Sequence, residues 1–240
     1  MLSRKVTNAI RFVMDELLPP IIRDNKYFMY PFFFFWFKGK NTKAWMNIKS
    51  VFYKLSDKEY VSFYDLYENG AYISKRVTDL SERTISFIIN SLNEYEVLHH
   101  EYSILDVGCG KGYLLKRLHD AGFHNLTGVD LATSSLYNEI EIINGNVEDL
   151  PFDNKSFDVV LCSHTLEHVL NLTQAISELK RVARKILIIT VPRQRYYHYT
   201  LDGHINFFPE KSYLLKALDI TDEKTTCKNI SGDWTVIIEL

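Results

Sequence analysis

The stretch from Ile104 to Leu115 limits what this chain can fold into more than any other. An apolar run, Ile104-Leu105-Asp106-Val107, carries an acid near its end, turns over glycines at 108, 110 and 112, and becomes amphipathic at Leu114, Leu115, Leu118 and Ala121. That pattern predicts strand, tight turn and helix. Glycine has no Cβ to hold a ligand away and a helix start offers unpaired N–H groups, so such a turn can carry a nucleotide-like group. The glycine spacing separates two ligand readings. A dinucleotide fingerprint is G-x-G-x-x-G, whereas here Asp106 precedes a G-x-G-x-G run and Tyr113 follows it.

The remaining 125 residues repeat the architecture. Leu126–Asp130 reads as a short strand ending in an acid about 20 residues past the loop, where a doubly wound sheet brings a carboxylate to paired ribose hydroxyls. Both ligand readings share that expectation. A third strand is expected over 140–143, followed by Gly145-Asn146-Val147 and the turn Leu150-Pro151-Phe152. A polar side chain at Asn146, just past that strand, can pair with an adenine edge. Phe157-Asp158 then opens a fourth buried strand that runs out through Ser163-His164-Thr165-Leu166-Glu167-His168. Leu172, Ala175, Ile176, Leu179 and Ala183 give a helix face, with Lys180, Arg181, Arg184 and Lys185 gathered at its C-terminal end, where the helix dipole favours cations. Ile186–Val191 is apolar throughout, as a parallel strand covered on both faces requires. Pro209 opens another helix through Leu214, Leu215 and Leu218, and a closing strand is expected over 235–240.

Taken together, the glycine loop, the Leu-Pro-Phe turn, the Phe-Asp strand start and Leu166-Glu167-His168 resemble the UbiE/Coq5-like, or type 11, branch of the class I S-adenosylmethionine (SAM)-dependent methyltransferases. The resemblance holds in register from 102 to 192 and more loosely to 240. It implies an α/β, Rossmann-like fold over residues 79–240, with a doubly wound, mostly parallel seven-stranded sheet. Residues 1–78 lie outside it and read as a helical, aromatic-rich N-terminal extension and lid. The cofactor it implies is S-adenosyl-L-methionine. Residue by residue, Gly108, Cys109, Gly110 and Gly112 would approach its methionine and ribose, with Asp106 orienting the loop. Asp130 and Leu131 would stand at the ribose, Asn146 and the backbone of Val147 at adenine, and Ser163 and His164 beside the methionine and its methyl. Asn146 replaces an acid and Val147 a smaller alanine found in many relatives.

The activity implied is methyl transfer to an O, N or C atom of a small-molecule, sugar or lipid-linked acceptor. Arg193 to His204 is polar and aromatic and leaves the carboxyl end of the fifth strand, where ligands of such sheets sit, so the acceptor is placed there. An alcohol acceptor needs a base with a pKa near neutral, which histidine supplies. His204 and His198 are the candidates, with Asp202 as orienter, followed by His164; Glu167 and His168 read as structural helix-start residues. Two other readings stay open: a SAM-binding partner subunit without catalysis, and an NAD-dependent dehydrogenase, which the position of the third glycine disfavours.

Charge sets the N-terminal segment apart. Residues 1–54 carry ten basic and three acidic side chains, so a chain of net charge −2 divides into a segment near +7 and a remainder near −9. The near-neutral total gives no reason to expect nucleic acid. Val6, Ile10, Val13, Met14 and Leu17 recur at helical spacing and stop at Pro19-Pro20. Tyr27 to Phe37 is almost wholly aromatic, bordered by Lys26, Lys38, Lys40 and Lys43. Each ring can bury about 150–250 Å², so a cover is expected: the protein's own core, a homodimer partner, or anionic lipid contacted peripherally at the inner face of a membrane. Tyr60, Tyr64, Tyr67 and Tyr72 lead to a helix expected over 79–92, and Tyr72, Lys75 and Arg76 read either as contacts to the ligand's carboxylate or as surface charge. Cys109, Cys162 and Cys227 show neither disulfide nor metal-ligand spacing. With no unbroken apolar core at the start and no run of ~20 apolar residues, a cytoplasmic protein is expected.

Overall fold

A computed structural model of the chain describes residues 9–10, 12–56, 58–63, 77–95, 101–220 and 224–240. Val6, Tyr64, Tyr67, Tyr72, Lys75 and Arg76 lie outside the described residues. The chain divides into two compact units, residues 1–76 with 194–207, and residues 77–193 with 208–240.

The first unit is helical. A π-type turn covers Val13–Leu17, and the helices α1 (Pro20–Arg23), α2 (Lys26–Trp36) and α3 (Thr42–Val51) follow it. The Asn25 side chain caps α2 by accepting from the backbone N–H groups of Tyr27 and Phe28, at 2.9 and 3.1 Å. Met29, Phe33 and Phe37 recur every fourth residue and form the buried stripe of the aromatic run, closing with Trp45 and Met46 of α3 into one cluster. Phe37 stacks flat on Trp45, with centroids 4.8 Å apart. Tyr199 and Leu201 pack on the same cluster, which is why 194–207 clusters with the N-terminal residues although it lies within the stretch read as the catalytic domain.

The second unit is a seven-stranded sheet in the order β3-β2-β1-β4-β5-β7-β6. Its strands are β1 (Ile104–Val107), β2 (Leu126–Asp130), β3 (Ile142–Asn144), β4 (Phe157–Ser163), β5 (Ala183–Pro192), β6 (Thr226–Ile230) and β7 (Asp233–Glu239). The first five run parallel, and β7 and β6 add an antiparallel edge. Alternate residues of the central strands enter two cores. Ile104, Val159, Leu161, Ile186 and Ile188 face α4 (Glu82–Glu94) and α5 (Tyr113–Asp120). Leu105, Val107, Val160, Cys162, Leu187 and Ile189 face α6 (Leu172–Val182) and α7 (Lys211–Ala217). A strand covered on both faces leaves few positions for a polar side chain, which is the physical reason these segments are mostly apolar, with Asp106 and Thr190 as buried exceptions.

Several element boundaries differ from those expected. β3 begins at Ile142 rather than Ile140. α6 stops at Val182 because Ala183 is already extended, with φ −78° and ψ 137°, so Arg184 and Lys185 belong to β5 and not to a helix end. Both cations turn to Asp158, at 3.3 and 3.4 Å. β6 carries no apolar alternation because it is the sheet edge, where polar residues such as Lys228 and Asn229 discourage pairing with another chain.

The Leu-Pro-Phe turn is held from α6. Glu178 accepts from the Leu150 N–H at 2.9 Å, and Arg181 donates to the carbonyls of Leu150 and Phe152 at 3.0 and 2.7 Å while pairing with Glu178 at 2.7 Å. Glu178→Ala strands the Leu150 N–H and part of the Arg181 fork. Stability to urea should fall by about 2–3 kcal/mol, and a loss below about 0.5 kcal/mol, the size of an ordinary surface change, would contradict this role.

Candidate active site

In the second unit the strand order reverses between β1 and β4, and in open α/β sheets ligands lie in the crevice at the carboxyl ends beside such a reversal. Four loops meet that edge: 108–112 after β1, 131–132 after β2, 145–147 after β3 and 164–165 after β4. Gly108 has φ +70°, and a Cβ there would stand 2.1 Å from Thr165 Oγ1. Thr165, not singled out in the sequence, donates to the Val107 carbonyl at 3.3 Å and closes the crevice floor between β1 and β4. Gly110 has φ +56°, with open space where its Cβ would project. Its bare backbone can therefore be approached closely.

The Gly110 N–H donates to Asp130 Oδ2 at 2.8 Å, and the Ala132 N–H to Asp130 Oδ1 at 3.1 Å. A carboxylate offers about four lone-pair sites, so after two backbone bonds Asp130 retains acceptors for a pair of hydroxyls. Burial raises its pKa, opposed by those backbone N–H groups. Burial, then the neighbouring Asp130 charge, raises Asp106 in β1 to about 8. Cys109 is pushed well up by burial and then by the same two acids, so it stays a thiol and offers no nucleophile. Gly112 begins α5 in the left-handed region and Leu131 stands exposed after β2. The Asn146 side-chain oxygen accepts from the Glu148 N–H at 3.0 Å, closing its own turn, and the Val147 side chain joins the core, leaving its backbone for recognition.

Ser163 ends β4 with its Oγ buried and without a hydrogen-bond partner among the described residues. Buried hydroxyls are normally satisfied, and one orphaned at this edge fits a bound polar ligand. His164 follows with φ +53°, outside the usual range for a side-chain-bearing residue. Its ring lies between two acids, Nδ1 3.2 Å from Glu167 and Nε2 3.4 Å from Asp233. Burial alone would lower its pKa; Asp233 and Glu167 outweigh this and raise it to about 10. The ring is then an imidazolium at neutral pH and cannot accept a proton, so of its two expected roles only that of a fixed donor beside the ligand suits this environment. Glu167, read from sequence as a helix-start residue, is fully buried in the short turn Leu166–His168. Asp233 had no local signal. It reaches the edge because β7 runs antiparallel and sets Asp233 opposite Pro192, the last residue of β5.

The other two histidines belong to the first unit. His204 is buried, with Nδ1 2.5 Å from Gln194 Oε1 and 3.3 Å from Asp202 Oδ2. Gln194 also donates to Asp202 at 2.9 Å, so the expected orienter is itself oriented by a residue that the sequence did not single out. The His198 N–H donates to Asp24 at 2.5 Å, and burial, then Lys49, lowers the ring's pKa against the pull of Asp24. Lys49 donates to the Tyr197 carbonyl at 2.8 Å and lies 4.3 Å from the Phe207 ring centre. Burial lowers it to about 7 against Asp202 and Asp24.

The family described as "Methyltransferase domain" matches residues 105–188. The chain is 36% identical over 96 residues to the phthiotriol/phenolphthiotriol dimycocerosates methyltransferase of Mycobacterium leprae, covering 34% of this chain and 33% of that one. It is 35% identical over 106 residues to the ubiquinone biosynthesis O-methyltransferase of Rickettsia akari, covering 40% and 41%. The chain spans between about a third and three fifths of the length of the curated relatives it matches. Among solved structures, the methyltransferase domain of bacterial CtHen1 is similar in fold, with a TM-score of 0.51 and 19% identity, over 66% of this chain and 98% of that one. Residues 105–188 thus match the methyltransferase domain of the type 11 branch of the class I enzymes, a family whose cofactor is SAM. The dehydrogenase and non-catalytic readings draw no support from these matches.

The two perturbed groups at the edge have distinct pH signatures. His164 is raised in the folded state from an ordinary 6.5 to about 10, so its stabilisation is complete below about 6.5 and is lost as pH rises toward 10. Asp106 is raised from 3.8 to about 8, so the folded state binds the extra proton between those values and stability falls as pH rises through them. In urea unfolding at a series of pH values, His164→Gln should flatten the alkaline part of the decline and Asp106→Asn the acidic part. Parallel curves for all three proteins would contradict these environments.

Proposed function

We propose that the second unit binds SAM along the carboxyl edge of β1, β2 and β4 and that the protein transfers its methyl group to an oxygen of a small-molecule, sugar or lipid-linked acceptor. The observation that carries this reading is the pairing of Asp130 with the bare Gly110 backbone, beside an orphaned Ser163 hydroxyl at the strand reversal. In it, Asp130 accepts from the ribose hydroxyls, flanked by Leu131. Asn146 and the Val147 backbone read the adenine edge. Gly108, Cys109, Gly110 and Gly112 present backbone to the methionine part, with Ser163 as a hydroxyl partner and the His164 imidazolium as a fixed donor. Asp106 sits behind the loop and sets its path.

Bound SAM supplies an already activated sulfonium methyl, so the work left to the protein is alignment and exclusion of water, worth about 7–11 kcal/mol. An oxygen acceptor also needs to lose a proton. His204 is the proposed base, its ring plane and tautomer set by Gln194 and Asp202. It lies on the segment that continues directly from the carboxyl end of β5, with the second candidate His198 on the same segment. The names of the relatives, one in ubiquinone biosynthesis and one for phthiotriol dimycocerosates, support a lipid-linked acceptor and O-methylation.

Calorimetric titration with S-adenosylhomocysteine should show one site per chain and no heat with NAD, and Asp130→Ala should weaken binding at least about tenfold. With an acceptor identified by transfer of labelled methyl, His204→Ala should lower turnover by about 10²-fold or more while leaving S-adenosylhomocysteine affinity unchanged. Binding indifferent to Asp130, or full turnover without His204, would overturn the corresponding assignment.

A further inference from the structure

We propose that the first unit docks on an anionic lipid bilayer through the exposed face of α2. The helix buries only Met29 and Phe33. Tyr27, Phe28, Tyr30, Phe32, Phe34 and Phe35 stay exposed, Tyr27 and Phe35 to 77% and 76%. Just before them Leu17 and Ile21 are exposed as well, Ile21 to 83%. At about 150–250 Å² per ring, six aromatics exposed to 39% or more reach or exceed the ~300–600 Å² that a soluble monomer leaves as its largest apolar patch. The protein's own core therefore covers only one stripe of the aromatic run.

Charge identifies the cover. Lys26 lies at one end of the helix and Lys38, Lys40 and Lys43 at the other, all exposed. Residues 25–43 contain no acid, Glu16 pairs with Arg195 at 3.2 Å, and Asp24 accepts the His198 N–H. Aromatic rings set between lysines suit the boundary of acyl chains and anionic head groups, with rings in the interface and ammonium groups among the phosphates. A second copy fits less well. A two-fold contact on this face would bring each lysine cluster against its like, with no acid between them. Among the described residues no helix is long and apolar enough to cross a membrane, so the contact proposed is with the surface.

The test is co-sedimentation of the full chain with vesicles of phosphatidylcholine alone and of phosphatidylcholine mixed with phosphatidylglycerol, together with its mass in solution. Two variants separate the contributions: Tyr27→Ser with Phe35→Ser removes exposed rings, and Lys40→Glu with Lys43→Glu reverses exposed charge. Both sites are outside the core, and unchanged thermal unfolding confirms the fold. Binding is expected to the mixed vesicles, about tenfold weaker to neutral ones and about tenfold weaker for each variant. It should also fall near 1 M salt, where the Debye length is ~3 Å. Equal binding to both vesicle types, equal binding by the ring variant, or no vesicle binding together with a dimer that the ring variant splits would overturn the proposal. In the last case a second copy covers the face.

Discussion

The hydrogen bond from the Gly110 N–H to Asp130 ties the loop after the central strand to the end of its neighbour, and the candidate site takes its shape from that tie. A backbone bond to an ionised acceptor is stronger than one to a neutral group. Here it acts on a loop whose φ of +56° only glycine adopts without strain. The parallel register Val107↔Val129 brings the two strand ends level, so the bond forms without distorting either strand. Replacing Gly110 would disturb the loop through its conformation rather than through packing, because no atom lies within 4 Å of the missing Cβ. Gly108 is fixed twice, by its φ of +70° and by the Thr165 side chain.

The same edge concentrates buried acids. Asp106, Asp130, Glu167 and Asp233 would be costly together in a low-dielectric setting, and the His164 ring is the cation between the last two. Its positive φ is a local strain of the kind that surrounding structure must hold in place. The His164 N–H bonds to the Thr190 carbonyl at 2.9 Å, and Thr190 meets Thr235 across β5 and β7 at 3.2 Å, so strand pairing fixes the turn. The antiparallel direction of β7 therefore matters chemically: it delivers an acid where parallel strands deliver only their carboxyl ends.

Local pattern made much of this legible. β1, the glycine loop, α5 and Asp130 follow from one apolar run, one turn and one amphipathic stretch, and the two-sided burial of β4 and β5 shows as unbroken apolar sequence. Features set by partners distant in the chain were not legible. Glu167 reads as a helix-start residue and Asp233 carries no local signal, until a tight turn and strand register bring them to His164. Thr165 and Gln194 act through contacts to residues brought near by the fold, and no spacing marks them. β6 lacks a pattern because an edge strand is not buried. The aromatic run shows helical spacing only at Met29, Phe33 and Phe37; its other positions are equally apolar, so periodicity could not separate buried from exposed rings. Segment 194–207 clusters with the N-terminal helices through Tyr199 and Leu201, contacts that sequence proximity to β5 does not suggest.

The account rests on an adenosyl group lying against the strand ends that Asp130 and Ser163 mark. The most direct measurement is a crystal structure of the protein grown with S-adenosylhomocysteine. The result expected is a ribose whose hydroxyls both donate to Asp130, with a polar atom of the ligand within hydrogen-bond distance of Ser163 Oγ. A ligand bound elsewhere on the sheet, or Asp130 still bonded only to Gly110 and Ala132 with the sugar turned away, would contradict it.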